Sequence, residues 1–436
     1  VGSEDLTAAL AAALGGTVEG LQRLSGGASR ETWAFTLDGQ ALILQRGRPG
    51  GIRTGGGMPA EAALIRAAGA QGVPVAEVVA AGEDGAFGAP WMVARQVEGE
   101  TIPRRILRDD TFAEARRLLA GQCGSALAGI HHIDPTGVDG LHEQDQVTQF
   151  RELVDVLGEP HPAFELGFRW LEDNRPPSSG RAVVHGDFRH GNLVVGPDGL
   201  RAVLDWELAH LGDPMEDLAW LCVRAWRFGG PHPVGGFGER DDLYTAYEAA
   251  GGGPVDRATT HWWEVLGTLK WGVMCIIQAA THLNGQSRSM ELAAIGRRVC
   301  ENEYDLLELI DPDGEMPPPT EGEAGPSLHD TPSAGLLLEA VREWVEGDVR
   351  EVTDGRVQFH TRVAATVLAT VERELALGPA MAKAHAERLA TLGVASEADL
   401  ARRIRAGEWS LVDRPLVDAV RQTVVDKLAV ANPRYA

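Results

Sequence analysis

The stretch His185-Gly186-Asp187-Phe188-Arg189-His190-Gly191-Asn192, followed by Leu204-Asp205-Trp206-Glu207, decides how this chain is read. An acid able to receive a hydroxyl proton, an amide oxygen a few positions on and a second carboxylate beyond a short turn are what metal-assisted phosphoryl transfer requires. Apolar runs at 182–184, 193–195 and 202–204, the last two separated by Pro197-Asp198-Gly199, read as short strands, which places the candidates on the loops joining them. Asp187 is the candidate general base. Asn192 and Asp205 offer the hard oxygen donors that suit Mg2+. Arg189 and His190 flank the base and are candidates to touch the acceptor or the γ-phosphate, and His185 is expected to brace the loop through hydrogen bonds. Each residue alone would also fit a turn stabiliser; three correctly typed positions in one strand-loop-strand context favour a site.

Working outward, Asp213-Pro214 opens a helix over 215–224, with Asp213 as its cap and Asp217 placed to brace the catalytic loop. Upstream, a helix over 5–14 precedes strands at 32–37 and 41–45, joined by the Asp38-Gly39 turn signal of a hairpin. A helix over 59–68 and strands at 78–81 and 91–97 complete a small twisted sheet with one helix packed on it. Leu24-Ser25-Gly26-Gly27-Ala28-Ser29 lies between two predicted strands, where Gly26, Gly27 and Ser29 are candidates to let backbone amides approach phosphate; an ordinary hairpin turn fits the same residues. From about 110 to 310 the pattern is mainly helical. His131 and His132 end one of these helices and read as structural rather than as a metal site, and Trp262, Trp263 and Trp271 read as core.

Residues 311–333, centred on Pro317-Pro318-Pro319, lack apolar periodicity and read as a linker. Beyond it, 336–345, 359–375, 383–392, 398–404 and 416–430 show helical spacing, with Phe359, Val363 and Val367 as an i, i+4 stripe and Ser396-Glu397-Ala398-Asp399 resembling a capping box. The expected fold class is therefore α+β, with a β-rich part (1–97), a mainly helical part (98–310), the linker (311–333) and a separate all-α accessory domain (334–436).

Composition narrows the function. The 436 residues carry 63 acidic against 40 basic side chains, a formal charge of −23, which disfavours nucleic acid and anionic membranes as partners. The four cysteines are scattered without a C-x-x-C pair, so neither a zinc ribbon nor a disulfide framework is indicated. No secretory leader pattern opens the sequence, and the uncharged run 271–280 is too short to span a bilayer. A cytoplasmic location is expected.

With those motifs in hand, the sequence resembles the aminoglycoside phosphotransferase and choline kinase superfamily, whose fold is that of protein kinases. His185, Asp187 and Asn192 match its loop signature and Asp205 its metal-binding acid. The run Leu204-Asp205-Trp206-Glu207-Leu208-Ala209, with Gly212-Asp213-Pro214 and Asp217-Leu218-Ala219-Trp220, resembles more narrowly the kinase-like half of acyl-CoA dehydrogenase fusion proteins and their free-standing bacterial relatives. The resemblance covers about residues 15–310 and implies that 1–97 and 98–310 form the N-lobe and C-lobe of a bilobal, protein kinase-like fold. It implies ATP and Mg2+ as cofactors and a hydroxyl on a small molecule as acceptor, a (4-)hydroxyacyl-CoA in hydroxy-acid catabolism first of all. An aminoglycoside or other cationic alcohol is the alternative, and a catalytically weak nucleotide-binding scaffold is the third reading.

The superfamily carries a cation on the strand after the glycine-rich stretch. Gln45 aligns there, Arg46 follows, and the chain holds only three lysines, Lys270, Lys383 and Lys427. Arg46 is the preferred phosphate anchor, although strand alternation turns it to the opposite face from Gln45 unless the strand slips. Glu61 is expected to pair with that cation, and 92–97, including Arg95 and Val97, to form the hinge beside adenine. Arg224, Arg227, Arg288, Arg297 and Arg298 are possible members of an arginine cluster near the acceptor, which would favour CoA. The C-terminal segment resembles a family of small uncharacterised bacterial helical domains that also occur beside such kinases as separate proteins. It is expected to pack on the kinase-like part or to mediate homo-oligomerisation.

Overall fold

The computed structural model describes residues 3–24, 30–47, 57–83, 87–287, 289–321 and 332–435. These fall into two compact units: residues 1–144 with 176–264, and 145–175 with 265–436.

The first unit opens with helix α1 (Ser3–Leu14) and a five-stranded antiparallel sheet of β1 (Val18–Leu24), β2 (Arg30–Leu37), β3 (Gln40–Gly47), β4 (Val78–Gly82) and β5 (Trp91–Arg95), in spatial order β1-β2-β3-β5-β4. The β2–β3 hairpin closes on Asp38-Gly39 with Leu37 opposite Gln40, and both turn residues have positive φ, 48° and 84°, as a two-residue primed turn demands. Strand alternation divides β3 between two cores. Leu42 and Leu44 pack with Leu6, Leu10, Phe35, Phe87 and Val93 on the α1 side. The opposite face meets α2 (Gly57–Ala70), whose Met58, Ala62 and Ile65 share a core with Met92.

After α3 (Pro103–Arg108), the long α4 (Ala113–His131) buries Leu119, Cys123, Leu127 and Ile130 in that second core. Helices α5 (Gln146–Leu157) and α6 (Pro162–Asp173) belong to the other unit. The chain then returns through two small antiparallel pairs, β6 (Ala182–Val184) with β9 (His210–Gly212), and β7 (Leu193–Gly196) with β8 (Gly199–Val203). Asp213 caps α7 (Met215–Trp220), its Oδ1 accepting from Met215 N at 3.0 Å. Helix α8 (Arg240–Ala249) packs on α4, where Gly124 is required because a Cβ there would lie 2.3 Å from the Leu243 carbonyl oxygen. Helix α9 (Arg257–Leu283) crosses the boundary between the units.

The second unit is helical: α5, α6, the later part of α9, α10 (Met290–Gly296), α11 (Val299–Ile310), α12 (Ala334–Trp344), α13 (Gly355–Thr391), α14 (Glu397–Arg405) and α15 (Arg414–Ala431). The C-terminal helices share a core with the earlier ones through buried charge. Arg405 bonds Glu165 on α6, and the almost fully buried Arg421 on α15 donates to the Asp311 carbonyl at 2.6 Å and its carboxylate at 3.0 Å. Residues of the proline-rich segment lie along α15, with Thr320 N donating to Asp426 and Gln422 to the Pro318 carbonyl. Helix α13 runs unbroken through Gly378-Pro379, where the spacing predicts two helices over 359–375 and 383–392. Its buried line is Thr361, Ala365 and Thr370, and Phe359 is exposed. Among the described residues no helix is long and apolar enough to cross a membrane.

Candidate active site

The catalytic loop begins at a turn only glycine tolerates. Gly186 has φ 75°, and a Cβ on it would stand 2.4 Å from the Leu208 carbonyl oxygen. The Asp217 carboxylate grips this turn, accepting from His185 N at 2.7 Å and Gly186 N at 2.9 Å, with His131 Nε2 at 3.1 Å. Burial pushes the Asp217 acid up, but the hydrogen bond and charge of His131 with His185 outweigh it and hold it below the usual carboxylate range. His131 is in turn bonded to Tyr247 at 2.9 Å. His185 braces the loop from inside: its Nδ1 accepts from Asp187 N at 3.2 Å, leaving Nε2 to donate to the Leu204 carbonyl at 3.1 Å. Burial lowers its pKa, as the neutral tautomer those two bonds require.

Three side chains converge on Asp187. Trp220 Nε1 donates to Oδ1 at 2.9 Å, Asn192 Nδ2 donates to Oδ2 at 2.7 Å, and Arg189 Nε reaches both oxygens at 3.0 and 3.1 Å. The Arg189 guanidinium also lies 4.7 Å over the Trp226 ring, so it positions the acid from the side. His190 does not face the site. It is fully buried, bonded through Nδ1 to the Gly235 carbonyl at 2.6 Å and flanked edge-on by Phe228 and Phe237, and burial drops its pKa to about 4.

The β7–β8 hairpin brings the second acid alongside. Leu204 N donates to the Asn192 carbonyl at 2.8 Å, which sets Asp205 next to Asn192 across the ladder. Asp205 adopts the left-handed conformation, φ 66°. Burial first, then the charges of Glu207, Asp187 and Glu61, raise it to about 7 against the opposing pull of Arg30. Asn192 spends its amide nitrogen on Asp187, so its oxygen is the donor left for a cation. A crowd of carboxylates, a free amide oxygen and one guanidinium fit a divalent metal held by Asn192 and Asp205. Among the described residues there is no cluster of three or more His, Cys, Asp or Glu side chains that could hold a metal alone.

The N-lobe cation differs from expectation. Arg46 lies on the α1 side of β3, buried, bonded to Glu31 and to the Phe87 carbonyl at 3.4 Å. Register accounts for this, since Glu31 is the cross-strand partner of Arg46 and nothing slips. Gln45, opposite Met92, faces the α2 side. Glu61 pairs instead with Arg30, at 2.7 Å, and Arg30 also meets Glu207 at 3.0 Å. Arg95 is exposed and bonded to Glu77 at 2.6 Å, and Val97 follows two residues after β5. Gly26, Gly27 and Ser29 lie outside the described residues, as does Arg288. Arg227 is held by the Cys222 carbonyl and Glu264, and Arg297 and Arg298 pair with Glu374 and Glu301 in the second unit. Arg30 and Trp220 are the two residues the sequence reading did not assign. Arg30 directly follows the glycine stretch, the one signal that could have marked it.

The fold and this site define a kinase-like phosphotransferase. A model of the phosphotransferase enzyme family (APH) matches residues 20–259, more than half of the chain, and the chain belongs to that family. Residues 351–435 match a domain of unknown function (DUF6285). Among curated proteins the chain is 29% identical over 214 residues to mouse acyl-CoA dehydrogenase family member 10, covering 45% of this chain and 20% of that one. It is 30% identical over 217 residues to chicken acyl-CoA dehydrogenase family member 11, covering 46% and 27%. The match thus spans about a quarter of those relatives' length or less. A solved structure from Ralstonia eutropha, assigned to the aminoglycoside phosphotransferases, shares the fold with TM-score 0.58 and 21% identity, over 71% of this chain and 98% of that one.

Proposed function

We propose that the chain transfers the γ-phosphoryl group of ATP to a hydroxyl of a hydroxyacyl-CoA. The convergence of Trp220, Asn192 and Arg189 on Asp187 carries this reading, because a general base must be held in one orientation to receive a proton from an in-line hydroxyl. Asp187 takes the acceptor proton. Asn192 and Asp205 hold Mg2+, which when bound with ATP neutralises the charge of the transferring group. Arg30, fixed by Glu61 and Glu207 beside Asp205, supplies the positive charge at the nucleotide that lysine supplies elsewhere, which speaks for a catalytic protein over a scaffold. The similarity to acyl-CoA dehydrogenase family members 10 and 11 supports a CoA thioester as acceptor.

The C-terminal helices act in this reading as a built-in companion held at high local concentration by the covalent link. The test is incubation of the full chain with Mg-ATP and separate CoA thioesters and aminoglycosides, read by mass spectrometry. A phosphate adduct on a 4-hydroxyacyl-CoA is expected. Adducts only on aminoglycosides would reject the acceptor, and nucleotide binding without transfer to any compound would reject the enzyme.

A further inference from the structure

The described residues of the first unit contain a second concave site, a cavity of about 530 Å3 between α3, the start of α4 and the glycine-rich loop 228–238. Four arginines line it, Arg104 and Arg108 one turn apart on α3 and Arg116 and Arg117 on α4. Neither Arg104 nor Arg108 has an ion-pair partner among the described residues. Arg116 is held by backbone oxygens, those of Ile106 at 2.7 Å and Asp109 at 2.9 Å, so its charge is fixed in place without a carboxylate to cancel it. Arg117 pairs with Glu114. Two acids also line it, Glu239, which is hydrogen-bonded to His232 at 2.7 Å, and Asp242, so the guanidiniums outnumber the carboxylates of the wall by four to two.

The cavity wall is also the support of the catalytic loop. Phe228 and Phe237 line it and flank His190, whose Nδ1 is bonded to the Gly235 carbonyl of the same loop. That loop is closely packed: a Cβ on Gly230 would stand 2.4 Å from the Gly236 carbonyl oxygen and one on Gly238 2.5 Å from the Ala120 Cβ. A group bound here therefore sits against the aromatic residues that pack on His190 of the catalytic loop. In a chain of net charge −23, three guanidiniums without a carboxylate partner in one cavity are a specific feature rather than a consequence of composition. Guanidinium forks match phosphate oxygens in pairs, and the volume suits a nucleotide.

We infer that this cavity binds the phosphate-bearing nucleotide end of the acceptor, which makes it the CoA-recognition site of the enzyme. The inference rests on the acceptor class proposed above and adds the residues that select it. Calorimetric titration of CoA into the full chain, wild type and Arg104→Glu/Arg108→Glu, tests it, with Mg-ADP as the second titrant. CoA affinity should fall at least tenfold in the variant, Mg-ADP affinity should stay within twofold, and pantetheine, which lacks the nucleotide, should bind wild type at least tenfold more weakly than CoA. Adenosine 3′,5′-bisphosphate should displace CoA.

Equal CoA affinity in both proteins, or pantetheine binding as tightly as CoA, overturns the inference. Displacement of CoA by inorganic phosphate at the same concentrations as by the bisphosphate also overturns it, since the cavity would then be a simple phosphate site. Arginine-dependent CoA binding without phosphorylation of any hydroxyacyl-CoA upholds the cavity and rejects the transfer reaction. Transfer with the same KM for the thioester in both proteins does the opposite.

Discussion

Arg30 Nη2 lies 2.7 Å from Glu61 Oε2 and 3.0 Å from Glu207 Oε2, so one guanidinium at the start of β2 ties helix α2 to the turn after Asp205. Arg46, one strand away, faces the other side of the sheet and answers Glu31. The two arginines have different jobs, and substitution separates them.

Arg30→Ala should lower kcat/KM for ATP by a hundredfold or more, because the site loses its fixed positive charge and leaves Glu61 and Glu207 facing Asp205. Arg46→Met should lower thermal stability through the lost buried pair with Glu31, by about 1–3 kcal/mol, while the KM for ATP stays within twofold. Steady-state kinetics and thermal melts on both variants check the division; loss of ATP binding in Arg46→Met with Arg30→Ala active would reverse it.

Much of this site was legible because it is contiguous. Asp187, Asn192 and Asp205 sit in one strand-loop-strand run, and the Asp38-Gly39 hairpin and the Asp213 cap follow from local turn chemistry. Arg30 was not legible because its partner is 31 residues away, and only the register of β2 against β3 shows which face each arginine takes. Trp220 stands in the sequence only as part of the family-like run 217–220; that its indole nitrogen reaches Asp187, 33 residues back, depends on how α7 packs under the loop. The sharing of a core between the C-terminal helices and residues 145–175 was hidden for the same reason, since Arg405 meets Glu165 across 240 residues.

The second unit carries its own pH signature. Burial pushes His161 down, but Glu159 and Glu303 outweigh it and hold the imidazole at about 9, while Glu303, despite burial, is drawn to about 2 by Lys427 and His161. His161 Nδ1 lies 2.9 Å from Glu303 Oε1. A raised folded-state pKa gives stability that is complete below about 6.5 and lost as pH climbs through about 9, roughly 3 kcal/mol at most. The depressed Glu303 contribution is present above its ordinary 4.5 and lost as pH falls toward 2. Unfolding of wild type and His161→Gln should therefore differ most at pH 6 and converge by pH 9 to 10. A constant difference across that range would contradict this.

Arg421→Met should destabilise the second unit by about 3–5 kcal/mol, because the Asp311 carboxylate loses a buried partner. Arg421 is 1% exposed and also holds the Gly314 carbonyl at 2.7 Å. Urea unfolding measures it; a loss under 1 kcal/mol would show that Arg414, 2.6 Å from the same carboxylate, suffices alone.

The base assignment is tested most directly by the time course of phosphorylated 4-hydroxyacyl-CoA formed from Mg-ATP, followed by mass spectrometry for wild type and Asp187→Asn. Wild type should accumulate product stoichiometric with ADP, and Asp187→Asn, with Mg-ADP affinity and melting temperature retained, should be slower by about 100- to 10,000-fold, the range a positioned general base supplies. Equal rates from the two proteins would contradict the role of Asp187.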